Sequence, residues 1–414
     1  MLPQNLGSET NIKLPFSFIF FSLLALILSQ VILIANGQLM ADGIFRIPAI
    51  WSAAHLLILG WALMTAMGAM YQLVPVAFLT KIWNEKFGFI QFGVTAIGII
   101  SFAAMLYWAP QKAIIPGILT FLGILMFLFQ MAMTLKQQKK GTILTAFVGT
   151  ALVCLFLTIA MGLTLVYCLK TGAGAISYQS FFKTHLLMGV TGWFTLLIFG
   201  FSYKMVPMFS LAHGFPMGQA KYVYVLYLSG LVLTGLSFFI EGSFLVKLGF
   251  FLLLAGFSTF TYHISIIVKK RLKKKLDKPF SFALVAILFG NLIHLAAFIL
   301  LWTNSFQNFI GPMIYSYLLL WIVLSILGYL YKIVPFLWWT HKYSKEIGKQ
   351  SVPALKEMMN EKVAVPLFFL YILSAILVFV SLSFKIAILF NVGQLVLSFV
   401  FIMMSISILS VIKK

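Results

Sequence analysis

Two histidines, His55 and His185, are the residues of this sequence best suited to carry chemistry. Each lies in a long apolar run, where an ionisable side chain is costly and usually marks a functional site. A neutral imidazole on a helix ligates metal ions and haem iron well, and the Leu, Met and Phe residues around both histidines suit the face of a porphyrin. We therefore predict metal or haem ligation at both positions; the alternative is an interhelical hydrogen bond.

A motif that recurs three times follows these histidines. The pattern W-x6-G-x2-Y-x2-V-P begins at Trp61, Trp193 and Trp321. Five fixed residues in three ungapped copies indicate an internal repeat, because apolar bias alone would rarely produce them. The proline predicts a kink or a helix end at the tyrosine four residues before it. Gly68 and Gly200 would let a neighbouring helix or a flat ligand approach the backbone, so we group them with Trp61 and Trp193 as candidate cofactor-binding residues.

The two histidines occupy different positions relative to the motif. His55 is six residues before Trp61, whereas His185 is eight residues before Trp193. An offset of two residues is roughly 200° around a helix, so we expect the two imidazoles to face different spaces between the repeats. The third copy has Tyr315 at the position of His55 and no histidine nearby.

The other candidate residues are weaker. His294, in the ninth apolar run, is a third candidate haem ligand, and Arg46, in the loop before His55, is a candidate partner for a haem propionate. For Arg46, a role in membrane topology or at the interface is the alternative. Three further histidines are expected near the membrane surface or in loops: His213, His263 and His341.

The elements that must position these residues are membrane-spanning helices. The 414 residues are 62% hydrophobic and 9% charged, whereas about a quarter of the residues of a soluble domain are charged. Most of the chain must therefore lie in lipid. The net charge of +21 comes from short loops between apolar runs, which indicates membrane topology and not nucleic-acid binding. Cys154 and Cys168 have no CxxC spacing and predict neither a disulfide nor a zinc site.

A window of about 20 apolar residues predicts twelve transmembrane helices in an all-α fold. They lie near 16–36, 49–80, 88–108, 113–135, 142–169, 181–210, 221–240, 243–268, 280–302, 311–340, 363–383 and 387–411. We predict one membrane domain, 1–414, built from repeats at 14–140, 141–278 and 279–414. Each repeat holds four spans, and an even number preserves orientation, so the repeats should form three parallel four-helix arcs around an axis along the membrane normal.

Lysines mark one side of the membrane. They concentrate in the loops after even-numbered spans, above all in residues 269–278, and at the C-terminus. By the positive-inside rule both termini lie in the cytoplasm, and so lysine-rich a chain favours a bacterial inner membrane.

The acidic residues argue against proton pumping. All eight are expected in loops or at helix ends, and none at mid-membrane, where a proton relay would need a carboxylate. They are Glu9, Asp42, Glu85, Glu241, Asp277, Glu346, Glu357 and Glu361.

The segments H-L-L-I-L-G-W-A-L-M-T-A-M-G-A-M-Y-Q-L-V-P from His55 and H-L-L-M-G-V-T-G-W-F from His185 carry a family resemblance. With twelve spans in three arcs, the chain resembles the catalytic subunits of the haem-copper oxygen and nitric oxide reductases. It is also similar to the twelve-span haem proteins of the NnrS family. The resemblance implies one or two non-covalent b-type haems, with His55 as a ligand of low-spin haem and His185 as a ligand of copper.

The chain departs from that family at the binuclear centre. The family's seventh helix carries a His-His pair for copper and its tenth helix carries haem ligands, and both are missing here. We therefore expect no complete haem-copper centre, and copper is a less favoured cofactor than haem. The leading hypothesis is a haem protein that carries electrons or binds a diatomic gas such as nitric oxide or oxygen. The alternatives are a twelve-span secondary transporter and an atypical oxygen or nitric oxide reductase. Besides haem, a gas or electron donor and membrane lipid, no partner or oligomeric state has a signature in the sequence.

Overall fold

The computed structural model describes residues 10–172, 177–240 and 243–414. Helices joined by turns and short loops make up these ranges, and no strand of a sheet occurs within them. Glu9 and Glu241 lie outside the described residues.

The long helices are α1 to α12 in chain order. They are α1 Lys13–Ala35, α2 Pro48–Phe78, α3 Glu85–Trp108, α4 Ile114–Leu135, α5 Ile143–Thr171, α6 Tyr178–Ser210, α7 Gln219–Leu236, α8 Ser243–Lys269, α9 Lys278–Trp302, α10 Phe306–Glu346, α11 Glu361–Phe384 and α12 Ala387–Leu409. Within the described ranges, eleven helices are long and apolar enough to cross a membrane, and α7 is the exception. The polar residues Gln219 and Lys221 open this short helix and lower its hydropathy. The all-α, multi-pass membrane fold is confirmed.

Both ends of the described chain lie at the same end of the molecule. Ile12, Trp338 and Ile412 line one shallow cleft. The Lys342 ammonium donates a hydrogen bond of 2.6 Å to the carbonyl of Lys414. The start of α1, the end of α10 and the C-terminus therefore meet on one face.

The acidic residues within the described ranges occupy loops and helix ends, as predicted. Asp277 precedes α9 and forms ion pairs with Lys273, at 2.8 Å, and with Lys332 of α10. Burial of Asp277 alone would raise the pKa of its carboxyl, but the hydrogen bonds and charges of the two lysines outweigh burial and hold that pKa below its ordinary value of 3.8.

Each motif helix contains a π-helical segment around its tryptophan. The segments are Leu56–Leu63 in α2, Leu187–Phe194 in α6 and Tyr317–Val323 in α10. π-Helical turns are rare and concentrate at functional sites. Their recurrence at the same place in three helices gives the sequence repeat a structural counterpart that the sequence pattern does not predict.

The motif prolines do not end their helices. α2 continues through Pro75 and α6 through Pro207, so the predicted helix end at the tyrosine is not seen. Both helices end three residues later, and the residue that follows each is left-handed: Leu79 (φ 54°) after α2 and Leu211 (φ 55°) after α6. Transmembrane helices tolerate proline because neighbouring groups satisfy the freed carbonyl.

The motif glycines bring each motif helix close to the helix that precedes it. A methyl group added to Gly68 would lie 2.9 Å from a backbone oxygen of α1. One on Gly200 would lie 3.0 Å from a side-chain carbon of α5, and one on Gly328 would lie 2.6 Å from a backbone nitrogen of α9. The pairs α1/α2, α5/α6 and α9/α10 are therefore equivalent contacts, while the predicted repeat boundaries remain a prediction.

Candidate functional site

The structure brings His55 and His185 together. Their ring centres lie 6.3 Å apart and the ring planes are inclined by 28°. The prediction that the two imidazoles face different spaces is wrong. α2 and α6 approach the space between them from opposite sides, so side chains that meet there must occupy different angular positions on the two helices. The estimate of roughly 200° also assumed α-helical geometry through segments that are π-helical.

One nitrogen of each imidazole is held by a backbone carbonyl. His55 Nδ1 lies 2.7 Å from the carbonyl oxygen of Trp51, and His185 Nδ1 lies 2.9 Å from that of Thr158. Because a carbonyl can only accept, Nδ1 is the donor in both rings and the lone pair is on Nε2. Among the described residues, neither Nε2 has a hydrogen-bond partner. This is the tautomer and second-shell contact that metal-ligating histidines use.

Neighbouring helices support both rings from behind. Phe102 of α3 packs edge-on against His55 with ring centres 5.3 Å apart. A methyl group added to Gly162 of α5 would lie 3.0 Å from His185 Cε1, so any larger side chain there would press on the ring. Both histidines are nevertheless only half-buried. The pair therefore combines fixed ring orientations with accessible ring edges.

Arg46 connects the N-terminal ends of the two helices that carry the pair. Its guanidinium donates a hydrogen bond of 3.1 Å to Gln179 Oε1 and lies 4.6 Å from the centre of the Phe182 ring. Both contacts are in the first turns of α6, whereas Arg46 precedes α2. Arg46 thus lies at the same interface as the histidine pair.

The motif tryptophans are packed between helices. Trp61 is fully buried and its ring centre lies 6.3 Å from that of Phe401 in α12. The indole Nε1 atoms of Trp61 and Trp193 are buried without a hydrogen-bond partner, whereas Nε1 of Trp321 donates to Thr195 Oγ1 at 3.1 Å. These predicted cofactor residues, like the motif glycines, therefore lie in helix packing contacts.

His294 lies in a separate cluster among α7, α8, α9 and α10. Its Nδ1 donates to the Gly290 carbonyl at 2.8 Å, and its Nε2 lies 3.4 Å from the Tyr227 hydroxyl. We define the aromatic cluster as Tyr227, Phe257, His294, Tyr317 and Trp321. Both nitrogens of this imidazole are engaged, which counts against the predicted role of His294 as a ligand.

A polar network that sequence reasoning missed joins the third repeat to the first. Gln394 Nε2 donates to Gln30 Oε1 at 2.7 Å, and the Tyr315 hydroxyl donates to Gln394 Oε1 at 3.0 Å. Ser398 also donates to Gln30 Oε1. Tyr315, which replaces the His55 position, is thus part of a structural network linking α1, α10 and α12. Isolated glutamines in apolar runs have no spacing pattern that would have revealed it.

The remaining candidates lie elsewhere. His213 and His341 are exposed, whereas His263 is fully buried between the Tyr203 hydroxyl and the Pro216 carbonyl. Across the parts of the chain that the structure describes, no group of three or more His, Cys, Asp or Glu side chains could hold a metal ion.

The whole chain is similar in structure to a heme-copper terminal oxidase that was determined as a dimer by cryo-EM. The TM-score is 0.68 over 99% of this chain and 85% of that chain, at 12% sequence identity. No family model matches the chain, and no curated protein matches it. The chain therefore has the fold of the heme-copper terminal oxidases and shares few of their residues.

Proposed function

We propose that this chain is a membrane protein that binds b-type haem non-covalently at His55 and His185 and lacks a haem-copper binuclear centre. The observation that carries the proposal is the pair of neighbouring imidazoles whose Nε2 atoms have no hydrogen-bond partner among the described residues. The oxidase fold supports it, because the structural neighbour is a heme-copper enzyme. Similarity to the NnrS family would agree with the same function.

The residues present fit the group. Two neutral imidazoles with fixed tautomers are ordinary axial ligands of haem iron. Arg46 would serve a propionate from the outer end of α2 and α6, since its guanidinium lies within the same interface. When bound, haem would supply one-electron transfer or, with an open iron position, diatomic gas binding. The protein's own part is to orient the two imidazoles and to keep water away.

The chain offers no second metal beside this site. α7 contains no histidine, and His341, the histidine of α10, is exposed in the last turns of that helix. The aromatic cluster fills the space among α7, α8, α9 and α10. We therefore propose no copper, and the alternative of an oxygen or nitric oxide reductase loses support.

For the architecture, we propose that α7 is the twelfth crossing and that the helices form three arcs of four. The equivalent glycine contacts and π-helical segments of α2, α6 and α10 support this arrangement. The face that carries both described chain ends also carries most of the lysines, so we propose that it is cytoplasmic, in a bacterial inner membrane.

A visible spectrum of the purified full-length protein tests the function. After expression with iron and haem precursors available, we expect a Soret band and a pyridine haemochrome spectrum of haem b. A secondary transporter, the other candidate for a repeat-built membrane fold, would be colourless. A monodisperse protein without a Soret band would overturn the haem proposal.

A further inference from the structure

We propose that His55 and His185 ligate the same iron from its two sides, at the interface of the first and second repeats. This inference rests on the proposed haem binding and goes further, because it assigns both axial positions of one haem. It differs from the expectation from family resemblance, in which the second-helix histidine serves a haem and the sixth-helix histidine serves copper.

The separation of the two rings fits a shared ion. Metal–nitrogen bonds are about 2.0 Å long, so two imidazoles that each give one nitrogen to the same ion have ring centres about 6 Å apart. The observed distance is 6.3 Å. Two stacked rings in contact would lie closer, and no hydrogen bond joins this pair. The separation of the ring centres is therefore compatible with one ion held between the two rings.

The donor set selects haem iron over a bare ion. A structural zinc or copper site needs three or four protein ligands, and the described residues contain no group of three His, Cys, Asp or Glu side chains. Haem brings four nitrogens of its own and needs only axial ligands from the protein. Two histidines therefore complete the coordination shell of haem iron, but they do not supply the three or four ligands of a structural zinc or copper site.

Ligation of one iron by both histidines would favour electron transfer over the binding of a diatomic gas. With both axial positions filled by imidazole, no position is left for oxygen or nitric oxide. The site then suits electron transfer, for which a fixed coordination shell is an advantage. The carbonyls of Trp51 and Thr158 and the backing contacts of Phe102 and Gly162 hold both rings in place.

The test compares spin state in the full-length protein and in single variants. Wild type should give the absorption and electron paramagnetic resonance spectra of low-spin ferric haem with two nitrogen ligands. His55→Ala and His185→Ala should each lose the low-spin signal, and imidazole added to either variant should restore it. His213→Ala, which removes an exposed histidine, is the matched control and should keep the wild-type spectrum.

The outcomes separate the two proposals. Wild-type protein without haem would refute the haem function itself. Haem that stays low-spin in either alanine variant, or that imidazole fails to restore in a monodisperse variant, would refute shared ligation alone. Because an alanine variant could fail to assemble, His55→Met and His185→Met provide a second measurement. Each should remain six-coordinate and shift the midpoint potential upward, since methionine ligation raises it. A methionine variant with an unchanged potential would also count against shared ligation.

Discussion

Two spaces between the repeats hold histidines, and the structure uses them in opposite ways. Between the first and second repeats, His55 and His185 face each other with one nitrogen of each ring unpartnered. Between the second and third, His294 is buried and both of its nitrogens are engaged. A histidine within an apolar span is therefore not enough to predict a ligand. The prediction also requires that the second ring nitrogen has no hydrogen-bond partner.

The largest effect expected from this comparison is on haem content. His185→Ala should lower haem affinity by more than the roughly 10- to 100-fold loss typical of second-shell changes, because a ligand itself is removed. His294→Ala should leave the haem content unchanged although it disturbs a buried cluster. Haem-to-protein ratios from pyridine haemochrome spectra measure both. Equal losses of haem in the two variants would show that the two histidines do not differ in their role in haem binding.

A smaller effect is expected where a helix supports the ligand. Gly162→Ala places a methyl group 3.0 Å from His185 Cε1 and should displace the ring, lowering haem affinity roughly 10-fold. Gly149→Ala, on the same helix, meets no atom within 4 Å and is the control. Haem titration of both variants provides the measurement, and equal affinities would show that Gly162 does not position the ring.

The aromatic cluster should contribute to stability and not to haem binding. The Tyr317 hydroxyl lies 2.7 Å from Thr195 Oγ1, so Tyr317→Phe should cost about 1 to 3 kcal/mol of unfolding free energy. Tyr222→Phe changes an exposed side chain and should cost almost nothing. Thermal unfolding in detergent measures the difference. A loss of haem without a loss of stability would assign the cluster to the cofactor site.

The smallest effect concerns Asp277. Because the lysines lower the pKa of its carboxyl, the ion pairs stabilise the fold above pH 3.8 and are lost only as the pH falls through the lowered pKa. Asp277→Asn should thus be less stable than wild type by about 1 kcal/mol at neutral pH. The difference in unfolding temperature should shrink only below pH 3.8. The control is Asp42→Asn, and a difference that persists unchanged at about pH 3 would contradict this assignment.

The helices could be predicted from the sequence because a membrane-spanning helix needs a minimum length and an apolar composition. This signal extends over about 20 residues and does not depend on any single one. The histidines were predicted because imidazoles are rare in such runs. Their mutual orientation was not, since it depends on where α2 and α6 lie relative to each other and on the π-helical segments. The Gln30–Gln394 contact joins opposite ends of the chain and leaves no local pattern.

The π-helical segments determine how each motif helix would respond to a change in its length. Each residue of an α-helix turns the chain by about 100°, and a π-helical turn accommodates one residue more than an α-helical turn. Deleting a single residue such as Leu59 would let α2 relax to a regular helix. His55 and Gly68 would then keep nearly the same faces of α2, because the shorter segment completes the same number of turns with one residue fewer. The same deletion in a regular α-helical part between the two residues would turn His55 relative to Gly68 by about a quarter of a revolution. In α2 and α6, the π-helical segment is therefore the place where the helix could lose one residue and still present its histidine to the pair.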